Sequence, residues 1–238
     1  MPAANPTSGS SPGRRGRAAR AKTTKTKSIK ALADLDRRIV DTAVALAEEI
    51  GWEDLRLRQV AARLDIPLAE LLVHYRDQDA VADAWFQRAW AAMLAPVPAD
   101  FAERPAEERL HLIMMRWFDA LAAHRAVTGQ MLSTKLYPSH PHHWVPMIFN
   151  LSRTIQWVRD AAMLDAGGRR RQMEEVGLTG LFLATLRYWL RDESADQIDT
   201  RAYLARQLAR CDRLMVRVWG AGQPPGTAAQ EPAGATPT

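Results

Sequence analysis

Between Ser28 and Ile50, apolar residues recur at helical spacing. Leu35, Ile39, Ala43, Leu46, Ala47 and Ile50 form one stripe, and Asp34, Arg37, Arg38, Asp41 and Glu48 fall away from it. Gly51 can close this helix as a C-cap, with Trp52 and Leu55 packed beneath it. Two shorter helical patterns follow. In the first, Val60, Ala61 and Leu64 are spaced to face a core. Asp65-Ile66-Pro67 then interrupts, because Pro67 has no backbone N–H and fits a helix only in its first turn. Helix resumes from Leu68 to Tyr75, with Leu71, Leu72 and Tyr75 on one side. Two short helices around a tight connection read as a helix-turn-helix, whose second helix is shaped for a DNA major groove. Asp77-Gln78-Asp79 opens a fourth helix, its acids placed for the N-terminal dipole, and Val81, Ala84, Trp85, Arg88 and Trp90 continue it into Met93 and Leu94.

Pro96-Val97-Pro98 ends that pattern and marks the predicted internal boundary. Beyond it the spacing predicts helices over 107–124, 127–136, 145–164, 174–191 and 202–219. The Pro- and His-rich loop Tyr137-Pro138-Ser139-His140-Pro141 and the pair Gly167-Gly168 separate some of them. No alternating strand pattern and no internal repeat occurs, so the expected class is all-α with about nine helices. The predicted organisation is an unstructured basic arm over 1–27, a helix-turn-helix domain over 28–95, a larger helical domain over 99–220 and an unstructured tail over 221–238. The most apolar run, Leu178 to Leu190, is interrupted by Arg187 and is too short to span a bilayer.

Charge changes this picture at one end only. Residues 1–30 carry eight basic and no acidic side chains, and the rest of the chain holds 24 basic against 27 acidic. The high sequence pI therefore describes the N-terminus and not a basic globular surface. A cationic arm suits a phosphate backbone or an anionic surface, and a solubilising tail is the plain alternative. An acid-free, Arg-rich start also has the composition of an organelle transit peptide, but it lacks the apolar face of one. With no secretory signal and the single cysteine Cys211, the expected compartment is the cytoplasm.

Candidate chemistry is sparse. No Gly-rich phosphate loop, nucleophile elbow or acid–histidine constellation is present, so neither an enzyme nor a bound cofactor is expected. Cys211 stands beside Asp212, which disfavours a thiolate. His140, His142 and His143 crowd one loop but lack zinc spacing and a neighbouring Cys or acid, so no metal is expected. Asp192, Asp196 and Asp199 suit helix caps and dipole partners. Large soft side chains at Met114, Trp117, Phe118, Met131, Trp144, Phe149, Trp157 and Phe182 could line a pocket for a small apolar ligand, or form an ordinary helical core. The Leu178–Leu190 face could instead be a homodimer seam, with Gly177 and Gly180 permitting close approach.

A small helical module followed by a larger all-α domain resembles the TetR family of bacterial transcriptional regulators. Ala43-Val44-Ala45-Leu46, Gly51-Trp52, Gln59-Val60-Ala61, His74-Tyr75-Arg76-Asp77 and Asp79-Ala80-Val81 carry the likeness. The resemblance implies a TetR-like homodimer that binds DNA through the helix-turn-helix and holds a ligand in the C-terminal domain. By this likeness the DNA-facing candidates are Leu68, Ala69, Glu70, Val73, His74 and Tyr75, flanked by Arg56, Arg58, Gln59, Arg63 and Arg76. Three positions depart from the family pattern: Asp65 replaces the usual turn glycine, Leu72 the phosphate-touching tyrosine and Gln78 the lysine opening the fourth helix. Glu70 opposes phosphate attraction, and the forked donors that read bases are confined to the flanking positions.

A second likeness covers the C-terminal third. Tyr188 to Asp196, then Thr200, Tyr203-Leu204 and Leu208, is similar to the end of the TetR-like accessory protein of ubiquinone biosynthesis. That resemblance implies an isoprenoid lipid in the apolar pocket, a quinone hydroxylase as partner at a membrane surface, and a helix-turn-helix that no longer regulates.

Overall fold

The computed structural model describes residues 13–135 and 141–220, with side chains described over 30–134 and 150–220. The chain divides into two compact units, Met1–Trp85 and Phe86–Thr238. Among the described residues it is all helical, with nine α-helices and no strand.

In the first unit, α1 (Gly13–Ile50) buries Ile39, Ala43, Leu46 and Ala47 of the expected stripe together with Val40 and Val44, while Leu35 is half-buried and Ile50 is exposed at the helix end. The helix begins at Gly13, so it reaches into the stretch expected to be an unstructured arm. The Ala, Arg and Lys residues there are good helix formers, and no proline interrupts them. Gly51, at φ 89°, ends the helix with its N–H on the Ala47 carbonyl at 2.9 Å. Trp52 and Leu55 fold under it and are buried. Helices α2 (Leu57–Leu64) and α3 (Leu68–His74) follow. Asp65 sits between them in the left-handed region, a conformation Asp tolerates better than most residues, and so serves where the family favours glycine. Its N–H and that of Ile66 return to the Ala62 and Ala61 carbonyls at 3.3 and 3.1 Å, closing α2.

Helix α4 (Gln78–Met93) is N-capped by Asp77, whose Oδ1 accepts from the Ala80 N–H at 2.7 Å. The division between units falls inside α4 and not at Pro96–Pro98. The reason is packing around α5 (Ala106–Leu121): Phe86 stacks on Trp117 at 6.3 Å, and Arg116 donates to the Ala95 and Pro96 carbonyls at 2.7 and 3.0 Å.

The second unit continues with α6 (Arg125–Lys135), α7 (Pro141–Ala161), α8 (Gly168–Trp189) and α9 (Ile198–Trp219). Helix α8 starts at Gly168 and not near Glu174. Arg170–Glu174 and Arg171–Glu175 are i,i+4 pairs at 3.2 and 2.8 Å that support the added turn. The buried Arg159 of α7 donates to Glu174 at 3.0 Å and to the Ala166 carbonyl at 3.1 Å. It thereby fixes the α7–α8 connection. Among the described residues, no helix is long and apolar enough to cross a membrane.

Candidate nucleic-acid interface and apolar cleft

Helix α3 is fastened at both ends and open between them. Leu71 is its fully buried anchor. At the C-terminal end His74 turns inward, its side chain only 7% exposed, with Nδ1 at 2.6 Å from Asp36 Oδ1 of α1. The Tyr75 hydroxyl donates to the Asp36 carbonyl at 3.3 Å. Both residues, expected among the DNA-facing set, thus hold the helix rather than extend from it. The outer face presents Leu72 and Val73, 61% and 81% exposed, together with Leu68, Ala69 and Glu70.

The flanking cations differ in what they do. Arg56 turns back on its own loop and donates to the Glu53 and Leu55 carbonyls at 2.7 and 2.9 Å. Gln59 is spent on α2's start, where its Oε1 accepts from the Arg56 N–H at 2.7 Å. Arg63 makes a two-pronged contact with Glu49 at 3.2 and 3.1 Å. That hydrogen bonding and charge hold the Glu49 carboxyl below its usual range and raise the Arg63 guanidinium, although both groups lie open to water. Arg76 pairs with Asp77 at 3.0 Å. Arg58 is exposed and has no acid partner among the described residues. Gln78, in place of a lysine, donates to the Trp52 carbonyl at 2.6 Å and so fixes the start of α4. Between α2 and α3 runs an apolar groove of about 580 Å³, walled by Leu57, Leu68, Leu71 and Leu72 and rimmed by Arg56 and Arg58.

In the second unit, six of the eight expected pocket residues have described side chains. Met114, Trp117, Phe118, Met131 and Phe182 are buried. Trp117 stands edge-on to Phe118 and Phe182, at 5.2 and 5.0 Å, and Phe118 lies against Trp189 at 5.6 Å. These described rings pack against one another as an aromatic cluster. Trp157 is exposed, and the side chains of Trp144 and Phe149 lie outside the described residues, as does the histidine group at 140, 142 and 143. Among the described residues no cluster of His, Cys, Asp and Glu could hold a metal.

A cleft of about 830 Å³ opens elsewhere, between the start of α5, the first half of α8 and the second half of α9. Leu110, Met173, Leu178, Leu181, Leu214 and Trp219 give it an apolar lining. None of these residues is among those expected to line a pocket; the signal the sequence holds is the apolar run from Leu178 to Leu190. Cys211 also borders the cleft, and desolvation there pushes its thiol upward, away from an activated nucleophile.

The second motif, from Tyr188 to Leu208, proves to be the hinge that joins α8 to α9. Asp192 accepts from the Ser194 N–H at 2.8 Å and the Thr200 N–H at 2.9 Å, and from both hydroxyls. Trp189 Nε1 donates to Gln197, which donates to Asp119 at 2.9 Å. Tyr188 stacks on Tyr203 at 4.5 Å, and Leu204 and Leu208 are buried. Folding alone thus accounts for most of the motif's side chains.

With this geometry in hand, the comparisons are direct. The crystal structure of a TetR transcriptional regulator from Nitrosomonas europaea ATCC 19718 matches with a TM-score of 0.67 and 43% identity, over 74% of this chain and 97% of that one. A bacterial regulatory protein of the tetR family from Rhodococcus RHA1 aligns at 21% identity over 79% of this chain and 98% of that one, with a TM-score of 0.45, too distant to add to the assignment. No family model matches the chain, and no curated protein does. The chain belongs to the TetR family of transcriptional regulators. It is a TetR-type regulator with an all-α fold.

Proposed function

We propose that this regulator binds duplex DNA through α3, acts as a homodimer and responds to a small apolar ligand. The observation that carries the reading is α3 itself: a helix pinned to α1 through His74 and Tyr75, with its opposite face left open. Support for pairing comes from the 176–184 stretch of α8, which holds no charged residue and exposes Val176 and Leu183 on its outer side. Support for a ligand comes from the α5–α8–α9 cleft, whose volume lies within the range of small-molecule sites. Val176 and Gly177 belong both to the rim of that cleft and to the outer face of α8. A ligand seated there would favour one pairing geometry over another and shift DNA affinity by population.

Gel-shift titration against the DNA flanking its own gene, repeated across salt, tests the proposal. Saturable binding that weakens with salt is expected, and no saturable binding at low salt sinks it. Deleting residues 1–27 is expected to flatten the salt slope by about 0.9 for every cation that sat on a phosphate. An unchanged slope removes the arm from the interface. Arg63→Ala with Arg76→Ala is expected to weaken binding on all sequences alike.

A second reading, the lipid-binding accessory protein of ubiquinone biosynthesis acting at a membrane with a hydroxylase partner, draws on the apolar outer face of α3. Mass spectrometry of lipid extracted from the purified protein separates the two readings. An isoprenoid in the extract without saturable DNA binding favours the accessory role.

A further inference from the structure

We infer that α3 reads its DNA site chiefly through thymine 5-methyl groups, with Ala69, Leu72 and Val73 as the specificity-determining residues. The inference rests on the DNA-binding reading above. At 100° per residue, Leu71 points to the core and the outward arc runs Leu72, Ala69, Val73, Glu70. Three of those four positions are hydrocarbon, and they are exposed although a seven-residue helix has little surface on which to scatter apolar residues by chance. Leu68 extends the apolar surface into the groove shared with α2.

The polar inventory of α3 sharpens the choice of base. His74 is committed to Asp36, which leaves Glu70 as the one outward polar side chain of the helix. A carboxylate only accepts hydrogen bonds, so Glu70 can meet the N4 amino group of cytosine. No outward side chain of α3 can donate to guanine O6 and N7 or to adenine N7. Pressing hydrocarbon against those edges would strip them of water without replacing the hydrogen bond. The 5-methyl of thymine is the one major-groove feature that gains from such contact.

Charge favours DNA as the occupant of this face over a neutral partner. Arg56 and Arg58 rim the apolar groove, and Arg58 has no acid partner among the described residues, so it is available to a phosphate.

The test uses the full chain. Duplexes are enriched on it from a random-sequence pool, then resynthesised with 2′-deoxyuridine at one thymine at a time, which removes only the methyl group. Binding is expected to weaken about four-fold at each contacted thymine, the worth of one buried methyl(ene). The variant Leu72→Ala with Val73→Ala, both on the exposed face, is expected to lose methyl sensitivity at every thymine except the one that Ala69 contacts. Enriched duplexes whose binding is indifferent to uridine at every position overturn the inference and leave the DNA-binding reading intact. Methyl sensitivity that survives at more than one thymine in the double variant overturns the residue assignment. Failure to enrich any duplex, with association to anionic phospholipid vesicles instead, overturns both and gives the face to a membrane.

Discussion

Val176→Asp combined with Leu183→Asp is expected to leave the protein monomeric and to weaken its binding to a two-half-site duplex by a factor on the order of 10²–10⁴, the usual gain from linking two binding events. Helix α8 buries Leu178, Leu181, Phe182, Thr185 and Trp189 on one side. The opposite side carries Met173, Val176, Gly177, Gly180, Leu183 and Ala184, with Val176 75% and Leu183 46% exposed. A Cβ added at Gly177 or Gly180 would meet nothing within 4 Å, so the surface is open to close approach by another helix. The stretch 176–184 holds no charged residue and is covered on its inner side only, with the exposed Arg169 and Arg187 bounding the outer one.

Two aspartates placed in an apolar seam between copies would have to lose water, a cost of several kcal/mol each. In the monomer the same side chains point to solvent, so the fold and its far-ultraviolet circular dichroism should be unchanged. Light scattering across a dilution series reads the assembly, and gel shift reads the affinity. A double variant that remains dimeric places the pairing surface elsewhere.

The split between what was legible in the sequence and what was not follows the range of the interactions. The middle of the α1 stripe, the break at Pro67 and the existence of the second unit's helices rest on local periodicity and were visible, whereas the start of α8 at Gly168 was not. What α3 does with its residues was not. Leu71 and Leu72 are adjacent on a short helix, and nothing local says that Leu71 is fully buried while Leu72 faces water. Pairing across the first unit was equally hidden. Arg63 reads as a free cation until Glu49 is seen beside it, and His74 reads as a base contact until Asp36 is.

In the second unit, composition identified the aromatic residues but could not say whether they enclose space or fill it. Among the described residues, Trp117, Phe118, Phe182 and Trp189 pack ring against ring. The cleft depends instead on how far the first half of α8 stands from the second half of α9, a tertiary distance that no window of sequence encodes. Asp192, Asp196 and Asp199 read as caps and dipole partners near a helix start; Asp192 accepts from the Thr200 N–H in the first turn of α9, although the N-cap position there is Gln197.

Asp192→Asn is expected to cost about 2 kcal/mol at neutral pH and to remove a distinct segment of the protein's acid sensitivity. Asp192 is 4% exposed. Burial pushes its carboxyl up, but the hydroxyl and backbone N–H groups of Ser194 and Thr200 outweigh that and hold it at about 2, against an ordinary 3.8. A depressed folded-state value favours the native state wherever the unfolded carboxyl is ionised. The contribution is therefore complete above about pH 5 and is lost as pH falls from there towards 2. Other carboxylates also titrate over this range, so the wild type alone cannot isolate the effect; the difference between wild type and Asp192→Asn can. Urea denaturation at intervals from pH 2.5 to 6 should show the two stabilities converging as pH falls, and parallel curves would remove Asp192 as the source. Asparagine keeps the shape but presents an amide N–H₂ to a donor, so Asp192→Ala, which leaves four donors without an acceptor, should destabilise at least as much, with a midpoint roughly 5–10 °C lower. Because Asp192 sets where α9 begins relative to the end of α8, loosening it should also blunt any ligand effect on DNA binding before the chain unfolds.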